Sequence, residues 1–235
     1  MISVSTEAVA PASINPQFKN AIRFQQSLLT PIERACLDWL ARRMPARVTS
    51  DHLTLLGFAA MFVAGLSYGA ARWWPAALLV VNVMLAVNWF GDSLDGTLAR
   101  ARNKLRPRYG FYVDHMVDAF GILFMMCGLA ASGYMSVTVA LGVLVVYFLL
   151  SIDVYLATYT IGTFKMSFYK FGPTELRILL AIGNLKVLAR PTVHVFGERY
   201  LFFDAAAVVA MALLGVVVIV SAITNTMTLY RAEKV

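Results

Sequence analysis

The sequence predicts an all-α, polytopic membrane protein: six transmembrane helices preceded by an amphipathic helix at the membrane surface. Three observations carry this expectation. Hydrophobic residues make up 60% of the 235 and charged residues only 14%, where a soluble domain carries about 25% charge. The mean hydropathy is +0.70. The basic residues behind the net charge of +7 are grouped in the N-terminal segment, the stretch after Asp95, the region of Lys165 and Lys170, and the C-terminal tail. That grouping is the one expected of cytoplasmic loops. It argues against nucleic acid as the partner of this basic chain.

Taken in order, residues 1–18 have neither the basic start nor the apolar core of a cleavable leader and read as a mobile polar tail. Residues 19–50 form an N-terminal segment with one helix. Thr30-Pro31-Ile32-Glu33 is a good helix start, with Thr as cap, Pro in the first turn and Glu three residues after the cap. Ile32, Cys36, Trp39, Leu40 and Met44 then share one face, while Glu33, Arg34, Asp38, Arg42 and Arg43 face away. The pattern suits a helix lying on the inner leaflet, or one packed on the bundle. Pro45 ends it.

A bilayer crossing needs about 20 apolar residues, and six stretches qualify: roughly 53–71, 74–95, 109–131, 136–160, 174–190 and 203–228. The fifth is interrupted by Arg177, Asn184 and Lys186. With both termini inside, Arg72 and the 131–135 link fall outside, and the run Arg100, Arg102, Lys104, Arg106, Arg108 falls inside. An odd number of spans would put a basic segment outside. The expected organisation is a six-helix membrane domain over 51–230 and a short tail over 231–235, in a bacterial-type inner membrane. Trp73, Trp74, Tyr200 and Phe202 need no role beyond anchoring at the outer interface. Cys36 and Cys127 lack metal spacing and read as free thiols.

Four aspartates break the apolar pattern. Asp92 and Asp95 close the second span; Asp114 and Asp118 lie just inside the third. At spacings of three and four, each pair shares a helix face, and the turn expected over 96–108 brings both pairs to one membrane depth. A carboxylate in a span costs roughly 2.5–3.5 kcal/mol at mid-bilayer, and four together repel. One or two hard divalent ions would offset that charge and leave positions open for phosphate oxygens. Gly96 and Ala99 leave the helix surface bare for a flat group. Arg100 can neutralise a phosphate, and Gly110 allows two helices to approach closely. Small residues in spans also serve plain helix packing, and a lone aspartate could be a cap; four at this spacing are neither.

The string Asp92-x2-Asp95-Gly96-x2-Ala99-Arg100-x9-Gly110-x3-Asp114-x3-Asp118 resembles the signature of the CDP-alcohol phosphotransferase (CDP-alcohol phosphatidyltransferase) family at all eight of its fixed positions. The layout of an interfacial helix and six spans is similar too. The resemblance implies a homodimeric membrane enzyme of phospholipid synthesis with its active site facing the cytoplasm. It implies that Asp92, Asp95 and Asp114 ligate Mg²⁺ or Mn²⁺, that Asp118 contacts metal and acts as general base, and that Gly96, Ala99 and Arg100 hold the cytidine nucleotide. The expected reaction moves a substituted phosphate from a CDP-linked donor, CDP-diacylglycerol or a CDP-amino alcohol, to an alcohol acceptor, with CMP released; at least one reactant is a lipid. Many members carry Thr-Pro-Asn-x-Leu-Thr before the first span; this chain has Thr49-Ser50-Asp51-His52-Leu53-Thr54, which offers Asp51 as a further nucleotide contact. His115 and the Gly172-Pro173-Thr174-Glu175 segment are similar to the choline and ethanolamine branch.

Other polar residues leave alternatives open. Asp153, inside the fourth span, is either functional or hydrogen-bonded to Tyr155, Tyr159 or another helix. Lys165, Lys170, Arg177 and Lys186 could form a pocket for an acceptor phosphate; Lys165 and Lys170 read equally as loop charge, and Arg177 as the partner of Glu175 or Asp153. Two other functions use membrane carboxylates: Asp-rich prenyltransferases, which lack the Gly-x2-Ala-Arg continuation, and cation transporters, which place such groups nearer mid-membrane.

Overall fold

The computed structural model describes residues 22–24, 30–165 and 172–233. The tail over 1–18 and Lys170 lie outside them. Among the described residues, seven helices and four short strands follow one another: β1 (Ile22–Phe24), α1 (Thr30–Arg43), α2 (Ser50–Ala70), α3 (Ala77–Ala101), α4 (Pro107–Ser132), α5 (Val137–Thr160), β2 (Thr163–Lys165), α6 (Pro173–Ala189), β3 (Thr192–Val195), β4 (Glu198–Leu201) and α7 (Phe202–Ala232). Five of the helices, α2, α3, α4, α5 and α7, are long and apolar enough to cross a membrane. The expected fifth span, α6, has 17 residues, about 26 Å at 1.5 Å per residue against a hydrocarbon core of about 30 Å.

The starts and stops follow local chemistry. Thr49 caps α2, its Oγ1 accepting from the His52 N–H (3.3 Å) while His52 Nδ1 accepts from the Thr49 N–H (3.2 Å). Ser136 caps α5, and α4 stops at Gly133, whose φ of 79° suits a residue without Cβ. Gly172-Pro173-Thr174-Glu175 opens α6: Pro173 fills the first position, and Glu175 Oε2 accepts from the Gly172 N–H (3.0 Å). This gives the segment a structural role of its own.

Strands modify the all-α expectation. β3 and β4 form a hairpin between α6 and α7, with Phe196 (φ 52°) and Gly197 (φ 88°) as its two-residue turn. Both residues are left-handed, the geometry that matches strand twist. β1 and β2 pair in parallel, Arg23 opposite Phe164.

The core centres on α2, which packs on both α3 and α4, whereas α3 and α4 hardly touch each other. Leu78, Val81, Leu85, Tyr68, Met125 and Leu129 form its main cluster. A buried polar ladder ties in α6. Tyr68 Oη donates to Asn184 Oδ1 (2.9 Å), Asn184 Nδ2 to Asn82 Oδ1 (2.7 Å) and Asn82 Nδ2 to the Ala181 carbonyl (3.2 Å). Burial in an apolar bundle requires such pairing of polar groups. Asp153 is bonded in the same way across helices: Ser221 Oγ (2.5 Å) and Asn225 Nδ2 (3.4 Å) of α7 both donate to it. Its partners are thus on another helix.

α1 lies against α3. Its buried face is Leu37 and Ala41, with Leu40 and Met44 beside them, packed on Leu53, Leu94 and Leu98. Trp39 and Cys36 are exposed. Of the expected apolar stripe, Leu40 and Met44 thus border the contact with α3, while Cys36 and Trp39 face outward. Apolar residues recur on both sides of this helix, so periodicity alone does not choose the side that docks.

Candidate active site

Glycine fixes the backbone around the aspartates. Where α2 crosses α3, a Cβ on Gly91 would lie 2.5 Å from the Leu53 carbonyl oxygen and 2.7 Å from Gly57 N. Where α2 crosses α4, a Cβ on Gly128 would lie 2.1 Å from the Gly65 oxygen. Both crossings have backbone against backbone, closer than any side chain permits. They hold α3 and α4 on two sides of α2, with the 102–106 link joining their ends.

α3 continues as helix to Ala101, further than the expected end near 95, because Leu94 and Leu98 remain in the core and draw the chain on. Gly96, Ala99 and Arg100 therefore sit on the helix and not in a turn. Asp92, Asp95 and Arg100 occupy its last turns, and Asp114 and Asp118 the second and third turns of α4. Asp118 is exposed and lies within electrostatic reach of Asp92, Asp114, Asp95 and Arg177. The four carboxylates thus share one electrostatic neighbourhood at the facing ends of α3 and α4.

Each has a distinct setting. Asp92 Oδ2 accepts from Arg177 Nη2 at 2.5 Å. Arg177 Nε donates to Asn88 Oδ1 (2.8 Å), and Asn88 Nδ2 to the Gly57 carbonyl (3.1 Å). Asp95 Oδ2 accepts from Thr54 Oγ1 (2.6 Å) and its Oδ1 from the Gly96 N–H (2.5 Å). Asp114 lies 4.0 Å from His115 Nδ1, whose ring packs on Phe111 and Tyr155. Arg177 thus meets a signature aspartate, not Glu175 or Asp153.

Among the described residues no three His, Cys, Asp or Glu side chains stand close enough to form a ready metal cage. The chemistry of the set nevertheless fits a hard divalent cation: its donors are all carboxylate oxygens. Four negative groups also face two guanidiniums, Arg177 and Arg100, within electrostatic range. A cation would draw Asp92 off Arg177.

Beside the cluster lies a groove of about 440 Å³ lined by Thr49, Ser50, Asp51, Ala99, Arg102 and Arg106, among others. It joins two of the expected nucleotide contacts, Asp51 and Ala99. Asp51 is ion-paired with Arg106, which also covers the Tyr109 ring. Arg102 fastens the groove by donating to the carbonyls of Val48, Met44 (3.0 Å) and Pro45 (2.9 Å). Arg100 is exposed and donates to Thr97 Oγ1 (3.0 Å). A Cβ on Gly96 would meet Arg100 Nη1 at 3.7 Å, so this face is open apart from one flexible side chain. Gly110 does not mark the close helix approach expected of it: a Cβ there meets nothing within 4 Å, because α3 and α4 stand apart at that point.

Sequence reasoning did not single out Asn88, Thr54, Arg102 or Glu33 as parts of a site. Asn88 could have been found as a polar residue one turn before Asp92 on the same face. Thr54 carried no such sign, since its partner is 41 residues away.

The model of the CDP-alcohol phosphatidyltransferase family matches residues 47–230. The chain is 29% identical over 86 residues to the archaetidylinositol phosphate synthase of Pyrococcus horikoshii, covering 37% of this chain and 43% of that protein. It is 30% identical over 105 residues to the archaetidylinositol phosphate synthase of Methanothermobacter thermautotrophicus, covering 44% and 49%. The match thus spans about half the length of these curated relatives. A similar fold is seen in the crystal structure of Mycobacterium tuberculosis phosphatidylinositol phosphate synthase with CDP-DAG bound, at a TM-score of 0.52 and 22% identity over 86% of this chain and 94% of that one.

Proposed function

The chain belongs to the CDP-alcohol phosphatidyltransferase family, and we propose that it is an integral membrane enzyme of phospholipid synthesis that passes a substituted phosphate from a CDP-linked donor to an alcohol, releasing CMP. The observation that supports this reading is that Asp118 lies within electrostatic reach of the other three signature aspartates, near a groove containing Asp51 and Ala99. The prenyltransferase and transporter readings account for the aspartates but not for that groove.

In this reading the acceptor hydroxyl gives its proton to Asp118, the exposed carboxylate. The acceptor oxygen bonds to the phosphorus farther from cytidine, and the bond from that phosphorus to the CMP oxygen breaks. One or two Mg²⁺ or Mn²⁺ ions, held by Asp92, Asp95, Asp114 and Asp118, would supply charge neutralisation for the pyrophosphate. Gly96, Ala99, Arg100 and Asp51 hold the nucleotide. Arg177 and Lys170 serve the acceptor phosphate; Arg177 lies beside Asp92, where that phosphate would arrive. The arrangement we favour has α6 as a sixth span, α1 at the inner leaflet, both termini and the cleft cytoplasmic, 51–230 as the catalytic domain and a homodimer as the unit.

The relatives' names favour CDP-diacylglycerol or another CDP-lipid as donor and a phosphorylated inositol as acceptor. A CDP-amino alcohol with diacylglycerol is the second reading, favoured by His115 after Asp114. The test supplies purified protein and Mn²⁺ with each radiolabelled donor and both acceptor classes. An inositol phosphate-dependent lipid product supports the first reading and CDP-choline turnover the second. No CMP from any donor, with cation flux through vesicles, overturns the transferase.

A further inference from the structure

Glu33 is one of two acidic residues in α1, and α1 docks on α3 through Leu37 and Ala41 without needing it. Its Oε1 nonetheless accepts from Trp89 Nε1 (2.7 Å) and Ser93 Oγ (3.3 Å) of α3, and from Thr174 Oγ1 (2.8 Å) of α6. Desolvating a carboxylate is costly unless donors surround it, so three neutral donors from two helices amount to a dedicated seat.

The seat lies beside the cleft. Trp89 and Ser93 are one turn apart on α3, and so are Asn88 and Asp92 on the adjoining face. On α6, Thr174 and Arg177 are three apart. Two bridges therefore run side by side between α3 and α6: Glu33 to Trp89, Ser93 and Thr174, and Arg177 to Asn88 and Asp92. The first fixes where α6 begins, and a displaced Thr174 would carry Arg177 with it.

We infer that Glu33 is a positioning residue: through Thr174, Trp89 and Ser93 it sets the place of Arg177 against Asp92 and couples helix α1 to the cleft. The inference rests on the proposed reading of that cleft as the catalytic centre. The Glu33→Gln change keeps an oxygen acceptor of the same reach, whereas Glu33→Ala leaves the three donors without one.

The experiment compares wild type, Glu33→Gln and Glu33→Ala as full-length protein in detergent. Hydrogen exchange without substrate reads the position of α6. Glu33→Ala is expected to speed exchange at 176–181 by tenfold or more with α2 and α7 unchanged, and Glu33→Gln to stay within threefold of wild type. Turnover with CDP-diacylglycerol and inositol phosphate is expected to show a tenfold rise in acceptor KM in Glu33→Ala, with Mn²⁺-dependent CDP affinity by calorimetry within twofold. Unchanged exchange at 176–181 in Glu33→Ala overturns the inference, as does a loss of CDP affinity matching the loss of turnover, which marks general unfolding. A wild type that turns over no CDP donor refutes the proposed reaction, and the exchange result then still decides whether Glu33 positions α6.

Discussion

The two glycines at the α2–α3 crossing are predicted to differ sharply when each is replaced by alanine. In a straight helix both substitutions gain up to about 1 kcal/mol of helix propensity. At Gly57 the added Cβ would rest 3.4 Å from Asp92 N and 3.5 Å from Asn88 Nδ2, which is ordinary contact. At Gly91 it would rest 2.5 Å from the Leu53 oxygen, 2.7 Å from Gly57 N and 3.0 Å from Gly57 Cα, all backbone. No rotamer relieves that, so α3 must retreat from α2 by about 0.9 Å to reach ordinary contact. Overpacking costs ~1–3 kcal/mol, and immobile backbone partners place Gly91→Ala near the upper end. Less the propensity gain, the net loss is about 2 kcal/mol. Asp92 follows Gly91 directly, so the retreat also displaces it, and a misplacement of about 1 Å can cost on the order of 100-fold in rate. Thermal unfolding in detergent and CMP release by the folded fraction read the two effects. Gly57→Ala is expected to stay within about 1 kcal/mol and threefold of wild type. Equal losses in the two variants, or a Gly91→Ala protein matching wild type in both assays, would refute the reasoning.

Three further outcomes are expected. Asp118→Asn should lower CMP release by at least ~10²-fold, the usual contribution of a general base, while Mn²⁺-dependent CDP binding persists in a calorimetric titration; near-normal turnover would remove Asp118 from the chemistry. Asp153→Ala strips the side-chain acceptor from Ser221 and leaves Asn225 only its contact to Ser221 Oγ; it should lower stability by ~1–3 kcal/mol, seen as a lower midpoint in detergent with the KM for donor unchanged. Tyr68→Phe leaves Asn184 Oδ1 without its buried donor and should cost about 1–2 kcal/mol with no change in metal-dependent nucleotide binding.

Five of the six expected spans were legible because apolar runs of bilayer length are hard to mistake, and α2, α3, α4, α5 and α7 each begin within about three residues of the stretch that announces them. The aspartates were legible because carboxylates at three- and four-residue spacing in apolar helices need a reason beyond packing. What pairs across the bundle was not. Arg177 and Asp92 are 85 residues apart, and Glu33 and Thr174 are 141 apart; no local pattern joins them. Which side of α1 docks on α3 was not legible, because Leu37 and Ala41 are no more apolar than Ile32 and Trp39, so the groove on α3 made the choice. The hairpin was hidden by Phe196, a bulky residue in a left-handed position usually given to Asn or Gly.

Holding α3 and α4 apart is itself a property that the glycines encode. Four carboxylates on two helices in direct contact would repel at short range in a medium of low dielectric, where charge interactions are strong. With α2 between them, the acidic pairs face across a gap whose width is set by two backbone-on-backbone crossings, Gly91 on Gly57 and Gly128 on Gly65. Those contacts cannot be compressed further, and loosening them exposes the apolar seam of α2. The gap is therefore stiff at its floor while its acidic rim is softly held: Asp92 by an exchangeable Arg177 and Asp95 by one threonine hydroxyl and a backbone N–H. Such a frame would let the carboxylates turn onto a hard cation without the helices moving. On that argument, a substitution that widens the floor should damage turnover more than one that removes a single rim partner such as Thr54.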